Sequence, residues 1–290
     1  MSDFVQQNAV KCSFASSDSW IIHTPIEQSI KSKIEAIGTP LREWNVQINY
    51  GIKTGYNEAF IISTEKRAEI LSNCKDEAER SRTADLIRPI LRGRDIKRYG
   101  YTWAGLWLIA TFPARHYNIE DYPAVREYLL SIGIERLEQT GATHIINGEN
   151  IKSRKKTNNA WFETQDSISY WEDFSKPKVI YPETTQGAYF AYDESGILLD
   201  KTCFILISPH AKYIQATLSS KLFEYAYKRI YSSVELGKLG FQYNKHALIK
   251  LPISKEPEKW EQSDDCFYRL YNLSMEEIED IEKHCSLISK

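Results

Sequence analysis

The sequence predicts an α+β fold: a mixed sheet with interspersed helices and a C-terminal helical segment. Two observations support this class. Apolar side chains recur at helical spacing in some segments and alternate at strand spacing in others. The two kinds of segment intermingle without a strict β-α-β order. The chain has 290 residues, of which 42% are hydrophobic, which is enough for one large domain or two modest ones.

Five segments have the pattern of helices. In the first, Ile26, Ile30, Ile34 and Ile37 are spaced to form one apolar stripe. The last begins at Ser274 with Ser-Met-Glu-Glu, a capping box in which the first and fourth side chains bind each other's backbone amides. The predicted helices are Glu27–Ile37, Glu65–Ser81, Tyr122–Glu138, Ala211–Tyr231 and Ser274–Ser286.

Strands are predicted between these helices, where short apolar runs are bounded by glycine or proline. Residues 139–150 lack a strand pattern, contain Gly141 and Asn147–Gly148, and are expected to form a loop. The predicted strands are 46–50, 60–62, 103–111, 176–182, 189–192, 203–207 and 248–253.

The two glycines of the stretch Y-G-I-K-T-G-Y-N-E-A-F-I-I-S, Gly51 and Gly55, predict a tight turn between two strands. Such a turn can expose amide donors and present Lys53, Thr54 and Asn57 to a polyanion. The same pattern is equally typical of an ordinary hairpin turn with solvated polar residues. It is not a phosphate-binding P-loop, because no Gly-Lys-Ser/Thr closes it.

A first basic segment lies in I-R-P-I-L-R-G-R-D-I-K-R-Y, where Asp95 is the single anion. Pro89 and Gly93 prevent one continuous helix, so we expect a short helix followed by a turn. The segment could be a solvated face, but arginine density around a glycine favours contact with phosphate or bases. Its cations are Arg88, Arg92, Arg94, Lys97 and Arg98.

A second basic segment begins at Lys152. A run of charge is most often solvated, yet amides and an aromatic ring, Trp161, follow these cations directly, and asparagine can pair with adenine. This order is compatible with a groove-reading loop, as well as with a solvated run of charge. The residues are Lys152, Arg154, Lys155, Lys156, Asn158 and Asn159.

Net charge is −2, which does not by itself favour a polyanion-binding protein. Residues 255–290 hold five basic and ten acidic side chains, so that end carries −5 and the remainder +3. The five cysteines are scattered and form no metal-ligand spacing, so neither zinc nor a disulfide framework is expected. No signal peptide or membrane span is expected either, and the composition fits a cytoplasmic setting.

Motifs of catalysis are missing from this sequence. It contains no glycine-rich cofactor turn, no H-E-x-x-H and no G-x-S-x-G. It also has no Pro-Pro, so it lacks the Asn/Asp-Pro-Pro-Tyr/Phe run with which amino-methyltransferases orient a flipped base. Whether this chain catalyses a reaction stays open, because the carboxylates of a nuclease are too degenerate to recognise by spacing. No catalytic or metal-binding residue is predicted.

Several segments, in the same order along residues 20–285, carry a resemblance to one family. They are K-I-E-A-I-G-T-P-L-R-E-W, G-I-K-T-G-Y-N-E-A-F-I-I, I-R-P-I-L-R-G-R-D-I-K-R-Y, K-P-K-V-I-Y-P, D-K-T-C-F-I-L and the closing F-Q-Y-N-K with L-P-I and L-S-M-E-E-I. The chain resembles the TaqI-like C-terminal specificity domain of fused restriction–modification enzymes and adenine-specific DNA methyltransferases.

This resemblance implies a target recognition domain that binds double-stranded DNA in a sequence-specific way. It implies a separate methyltransferase or nuclease domain or subunit as a partner, which would use S-adenosylmethionine and, for cleavage, magnesium. The chain is then an excised piece or a stand-alone specificity subunit. The side chains expected to face DNA are Lys53, Thr54, Asn57, Arg88, Arg92, Arg94, Arg98, Lys152, Arg154, Lys155, Lys156, Asn158 and Lys178.

On this basis we expect an irregular segment at 1–25, a recognition domain at 26–210 and a C-terminal helical and strand segment at 211–290. Two other functions are compatible with the residues. One is a restriction endonuclease whose active site is not recognisable from spacing. The other is a protein-interaction scaffold whose basic segments are merely solvated.

Overall fold

A computed structural model describes residues 23–231 and 240–286 of the chain. Helices and strands alternate irregularly along it, and the strands form six small sheets within the described residues. The α+β class predicted from the sequence is confirmed. Within the described residues, no helix has the length and apolar character needed to cross a membrane.

The helices and strands are numbered in chain order. The helices are α1 Pro25–Ile37, α2 Asn57–Phe60, α3 Thr64–Ser72, α4 Glu77–Leu86, α5 Pro123–Ile132, α6 Ile134–Leu137, α7 Ala211–Ser219, α8 Lys221–Ala226, α9 Lys245–Leu248, α10 Asp264–Leu270 and α11 Met275–Ser286. The strands are β1 Gly38–Pro40, β2 Gln47–Tyr50, β3 Ile61–Ser63, β4 Ile87–Leu91, β5 Ile96–Lys97, β6 Gly100–Tyr101, β7 Leu106–Ile109, β8 Thr143–Ile146, β9 Glu149–Lys152, β10 Lys178–Pro182, β11 Thr184–Thr185, β12 Ala191–Asp193, β13 Leu198–Leu199, β14 Cys203–Ile207, β15 Phe241–Gln242 and β16 Pro252–Ser254.

The chain forms two compact units, each assembled from separated stretches of sequence. The first, which we call the helical unit, is drawn from the described residues of Met1–Val46, Thr184–Phe190 and Ser208–Lys290. The second, which we call the sheet unit, consists of Gln47–Glu183 and Ala191–Ile207. These units cut across the three consecutive segments expected from the sequence, because strands distant in the chain pair with one another.

The helical unit brings the N-terminal helix against the C-terminal part of the chain. Helix α1 begins at a capping box between Thr24 and Glu27, and its stripe buries Ile30 and Ile34 completely. Strand β1 pairs antiparallel with β16, and α1 lies beside that strand. The predicted first helix is therefore confirmed, and its apolar stripe packs into the core of the helical unit.

The predicted helix Ala211–Tyr231 is interrupted in the helical unit. It ends as α7 and restarts as α8, because Ser220 adopts an extended conformation and its hydroxyl caps α8 by accepting from the amide of Phe223. A π-helical turn, Tyr227–Tyr231, follows α8. Nearly every residue of α7 and α8 is buried, which identifies this pair as the centre of the unit's core.

The sheet unit contains two four-stranded sheets. One has the strand order β12-β10-β14-β2 and is antiparallel throughout. The other has the order β13-β4-β7-β3, with β13 and β4 parallel. Every residue of β10 is buried, and its Tyr181 stacks on Phe204 of β14 with ring centroids 5.3 Å apart. These sheets form the scaffold from which the basic segments emerge.

The hairpin expected around Gly51 and Gly55 is wrong. Strand β2 pairs with β14, whereas β3 pairs with β7 in the other sheet. The stretch between them therefore crosses from one sheet to the other, and it includes the single-turn helix α2. Alternation of apolar residues correctly indicated two strands, but it carries no information about which strand each one pairs with.

Candidate nucleic-acid interface

The Gly51–Gly55 segment is held by its own backbone amides. The amide of Gly51 donates to the carbonyl of Cys203 at 2.8 Å, and that of Ile52 donates to Leu199 at 2.7 Å. A Cβ atom on Gly51 would lie 1.9 Å from the carbonyl oxygen of Asp200, so no side chain fits there. These two amides are bonded inside the sheet unit, so the turn does not expose them as donors.

The polar residues of this segment differ in their access to a ligand. Thr54 is 1% exposed, and its hydroxyl donates to the side-chain oxygen of Asn57 at 2.6 Å. The DNA contact expected for Thr54 does not fit this burial. Asn57 is exposed at the start of α2, and Lys53 is half-buried. Two of the three residues therefore remain on the surface.

In the first basic segment, the expected short helix is a strand. Arg88 lies in β4, where its Nη2 donates to the carbonyl of Gly196 at 2.8 Å. A 3-10 turn, Gly93–Asp95, follows the strand. Proline at the third position of β4 is compatible with a strand, since it lacks only the amide hydrogen needed for one ladder bond. Arg88 thus contributes to packing within the sheet unit.

Arg92 forms a bidentate ion pair with Asp95. The guanidinium Nε and Nη2 lie 3.0 Å from the two carboxylate oxygens, and the Arg92 amide donates to the same carboxylate at 2.9 Å. Burial alone would raise the pKa of Asp95, but the hydrogen bonds from Arg92 outweigh it, so the pKa is lowered. Arg92 therefore shapes the turn, and the charge it could offer to DNA is largely neutralised.

The next cations of this segment lie nearer the surface. Arg94 and Lys97 are exposed, and Arg98 is half-buried with its guanidinium 4.9 Å from the ring centroid of Tyr99. Tyr99 itself is 36% exposed. An arginine lying over an exposed ring offers both charge and a stacking surface to nucleic acid.

The second basic segment has exposed residues on both sides of a buried one. Lys152 at the end of β9, Lys155, Lys156 and Asn158 are exposed, while Asn159 is half-buried and donates to the carbonyl of Gln165 at 2.9 Å. The three lysines keep their charge in contact with solvent and are available to phosphate.

Arg154, in the middle of this run, is 4% exposed and does not fit the DNA contact expected for it. Its guanidinium donates to four backbone carbonyls at 2.6–2.8 Å and lies 5.0 Å from the ring centroid of Phe60. Burial lowers the pKa of this guanidinium to about 10. The accepting carbonyls belong to Thr54, Leu137, Trp161 and Glu163.

Lys178 is also placed inside the protein. It is fully buried in β10, forms an ion pair with Asp193 and donates to the carbonyl of Phe174 at 2.5 Å. Asp193 additionally accepts from the hydroxyls of Tyr101 at 2.9 Å and Ser195 at 2.6 Å. A side chain enclosed in this way has no surface to offer DNA, so the expectation for Lys178 does not fit the structure.

The structure joins the first basic segment to the Gly51–Gly55 segment. The amide of Gly93 donates to the hydroxyl of Thr202 at 3.0 Å, and the amide of Asp200 donates to Leu91 at 2.9 Å. The loop that holds Thr202 and Asp200 therefore contacts the first basic segment on one side. It contacts Gly51 on the other, through the close approach described above.

The second basic segment joins the same stretch from the other end. The amide of Gln165 donates to the carbonyl of Lys53 at 3.1 Å, and Arg154 donates to Thr54. The three polar segments singled out in the sequence are thus linked in series by hydrogen bonds, with Gly51–Gly55 in the middle.

Residues 139–150, expected to be a loop, include most of an antiparallel hairpin that strands β8 and β9 form. The sequence contained the signal for this hairpin, because Asn147–Gly148 is a preferred pair for a two-residue hairpin turn.

Among the described residues, no group of three or more His, Cys, Asp or Glu side chains is placed to hold a metal ion.

Comparison with known proteins identifies a family, and two solved structures are among those similar to this chain. Residues 88–253, more than half of the chain, match the family model of the TaqI-like C-terminal specificity domain. The type IIG restriction endonuclease BpuSI is similar at 12% identity and a TM-score of 0.49, covering 89% of this chain. The type IIL restriction–modification enzyme MmeI, solved in complex with DNA, is similar at 13% identity and a TM-score of 0.43, covering 71% of this chain. The matched regions are 28% and 24% of those two chains, so this chain spans about a quarter of their length.

Proposed function

This chain belongs to the family of TaqI-like C-terminal specificity domains, and we propose that it recognises a specific sequence of double-stranded DNA. The observation that carries the proposal is the series of linked segments in the sheet unit. Each presents polar or cationic side chains at its surface: Lys53 and Asn57 on the first, Arg94 on the second and Lys155 on the third. Surface cations are the usual electrostatic basis for binding the phosphate backbone.

In this proposal the cations set affinity and register. Neutralising about six phosphates gives a slope near −5 for the logarithm of the affinity against the logarithm of the salt concentration. The corresponding side chains are Lys53, Arg94, Arg98, Lys152, Lys155 and Lys156.

Sequence preference requires contacts to base edges, since phosphate contacts carry no sequence information. The exposed amides of Asn57 and Asn158 are suited to this role, because an asparagine can donate to and accept from adenine in the major groove. Both lie on segments that also carry cations, so a protein held by its phosphate contacts would bring these amides to the groove.

We further propose that catalysis resides in a separate methyltransferase or nuclease domain or subunit. S-adenosylmethionine would be the methyl donor there, adenine the modified base, and magnesium the ion required for cleavage. The family description supports this arrangement, because it names a C-terminal specificity domain. A cytoplasmic location, where the cell's own DNA is accessible, is part of the same proposal.

A gel-shift titration of the chain against a pool of random duplexes at low salt tests the central proposal. Charge reversal by Arg94→Glu and by Lys156→Glu should each weaken binding by about tenfold or more, because a phosphate contact is replaced by repulsion. Lys250→Glu, at an exposed lysine of the helical unit, is the matched control and should leave the affinity nearly unchanged.

Three results would count against this function. Lack of DNA affinity at low salt, even with a methyltransferase domain supplied, would refute DNA recognition. Cleavage of unmodified DNA by this chain alone with magnesium would identify it as a nuclease. A protein-interaction scaffold would be favoured by two results together. The chain would capture a protein partner equally well with and without the two charge reversals, and DNA binding would be unaltered in those variants.

A further inference from the structure

The hairpin formed by β8 and β9 has a regular, well-defined geometry. Asn147 and Gly148, at its turn, both have positive φ, of 52° and 83°, as a type I′ turn requires. The strands pair antiparallel, with Ile145 opposite Asn150 and Thr143 opposite Lys152. Residues directly opposite one another share a face of the ribbon, so this register defines two faces.

The two faces differ in burial. Strand β9 lies beside helix α6, and the apolar Ile146 and Ile151 of one face are half-buried. The other face is exposed at each of its four positions, and its Ile145 is 77% exposed. A single exposed isoleucine is common on protein surfaces. This outward face, however, combines an aliphatic group, a hydroxyl, an amide and a cation: Ile145, Thr143, Asn150 and Lys152.

The base of the hairpin is fixed by hydrogen bonds. The amide of Ser153 donates to the carbonyl of Ala142, and that of Gly141 donates to Arg154, each at 2.9 Å. The Arg154 amide in turn donates to the carbonyl of Glu138 at 2.9 Å. An isolated two-stranded hairpin is marginally stable in water, so these contacts and the buried guanidinium of Arg154 account for a ribbon that is held in one orientation.

The charge around the hairpin favours a polyanion. Glu149 is the acidic residue of the two strands, whereas Lys152, Lys155 and Lys156 are exposed at and just beyond the end of β9. A two-stranded β-ribbon is also narrow enough to enter the major groove of B-DNA, which is about 12 Å wide.

Building on the DNA recognition proposed above, we infer that the β8–β9 hairpin enters the major groove and determines part of the sequence preference. Ile145 contacts the methyl group of a thymine, Asn150 pairs with an adenine, and Thr143 contacts a neighbouring base edge. Lys152, at the end of the same face, binds an adjacent phosphate. The ligand of this face is duplex DNA, and the hairpin turn is the part inserted most deeply.

The test begins with the sequence that the wild-type chain selects from random duplexes, with its catalytic partner present if binding requires it. Competition then compares that duplex with an unrelated one for Ile145→Ser and Asn150→Ala. Each variant should lower the preference for the selected duplex by about tenfold while leaving the affinity for the unrelated duplex unchanged. Ile37→Ser and Asn73→Ala are matched controls at other exposed positions and should retain the wild-type preference.

A second measurement changes the DNA and compares wild type with Ile145→Ser. Replacing thymine by uracil in the selected site removes the methyl group that Ile145 would contact. Wild type should lose affinity for one of the substituted duplexes, whereas Ile145→Ser should not distinguish it from the thymine form. A thermal melt of each variant verifies that the chain remains folded.

The outcomes separate this inference from the function on which it rests. If both hairpin variants keep the wild-type preference while the chain still binds its selected duplex, the hairpin does not read bases, although DNA recognition stands. If the wild-type chain prefers no sequence at all, DNA recognition and the hairpin inference fall together.

Discussion

Nη1 of Arg154 donates a hydrogen bond of 2.8 Å to the carbonyl oxygen of Thr54, a residue 100 positions earlier in the chain. This bond joins the second basic segment to the Gly51–Gly55 segment. Arg154 therefore has a positional role. It is a buried cation in a run of exposed ones, and its hydrogen bonds orient the loop that carries the neighbouring lysines. Adjacent cations of the same short run therefore have different structural roles.

Replacement of Arg154 by methionine should lower the free energy of unfolding by about 3–5 kcal/mol, because four buried carbonyls lose a donor. Urea denaturation measures this change. Lys155→Met is the control, since the same change one residue later is at an exposed position and should stay within about 0.5 kcal/mol of wild type. An Arg154→Met protein that keeps the stability of wild type but binds DNA more weakly would contradict the positional role.

Alanine at Gly51 should destabilise the sheet unit by about 3 kcal/mol, since the added Cβ would be forced against the backbone of Asp200. Gly100 provides the comparison: a Cβ there meets nothing within 4 Å, and Gly100→Ala should change stability by less than about 1 kcal/mol. Thermal melts of both variants decide the matter. Equal melting temperatures would mean that the contact between Gly51 and Asp200 relaxes easily.

Local features of this chain could be predicted from its sequence because the interactions that form them are local. The stripe of Ile30 and Ile34, with the capping box of Thr24 and Glu27, lies within one helix. The continuous apolar run Cys203–Ile207 likewise predicts strand β14. The structure confirms it, and every residue from Cys203 to Leu206 is buried. Helix, strand and their burial follow here from spacing alone.

Features that depend on distant partners could not be predicted. Lys178 was expected to face DNA, but the Asp193 that neutralises it lies 15 residues later, in another strand. Gly51 was interpreted as a turn residue, although its requirement for glycine arises from Asp200, about 150 residues away. Among the cations expected to face DNA, Arg88, Arg154 and Lys178 are instead held by carbonyls or a carboxylate inside the sheet unit.

Asp193→Asn should destabilise the protein by about 3–5 kcal/mol at neutral pH, because the ammonium of Lys178 would be left buried without a counter-charge. Glu194→Gln, at the exposed neighbouring position, should have an effect below about 0.5 kcal/mol. Chemical denaturation at pH 7 provides both values. A stability loss below about 1 kcal/mol in Asp193→Asn would indicate that Lys178 becomes neutral at little cost.

The same pair should make stability depend on pH in the acid range. Burial opposes ionisation of Asp193, but Lys178 and the hydrogen bonds to the carboxylate outweigh it, so its pKa is lowered. The unfolded chain, where an aspartate has a pKa of about 3.9, then binds more protons than the folded one. The stabilisation is therefore complete above about pH 5 and is lost as the pH falls below 4 toward the folded pKa. Denaturation midpoints between pH 7 and pH 3 should fall more steeply for wild type than for Asp193→Asn.

Simultaneous Lys152→Gln, Lys155→Gln and Lys156→Gln should reduce the salt dependence of DNA binding. Each phosphate contact contributes about 0.9 to the log–log slope, so a wild-type slope near −5 should become about −2. The three side chains are exposed and their loss leaves Arg154 in place, so the melting temperature should change little. Fluorescence anisotropy at several sodium chloride concentrations measures the slope.

The matched control is a triple variant with glutamine at Lys250, Lys255 and Lys259, three exposed lysines of the helical unit. If the magnitude of the slope decreases equally in both triple variants, the phosphate contacts belong to no particular segment. If the slope is unchanged when Lys152, Lys155 and Lys156 are replaced, the second basic segment is not part of the interface.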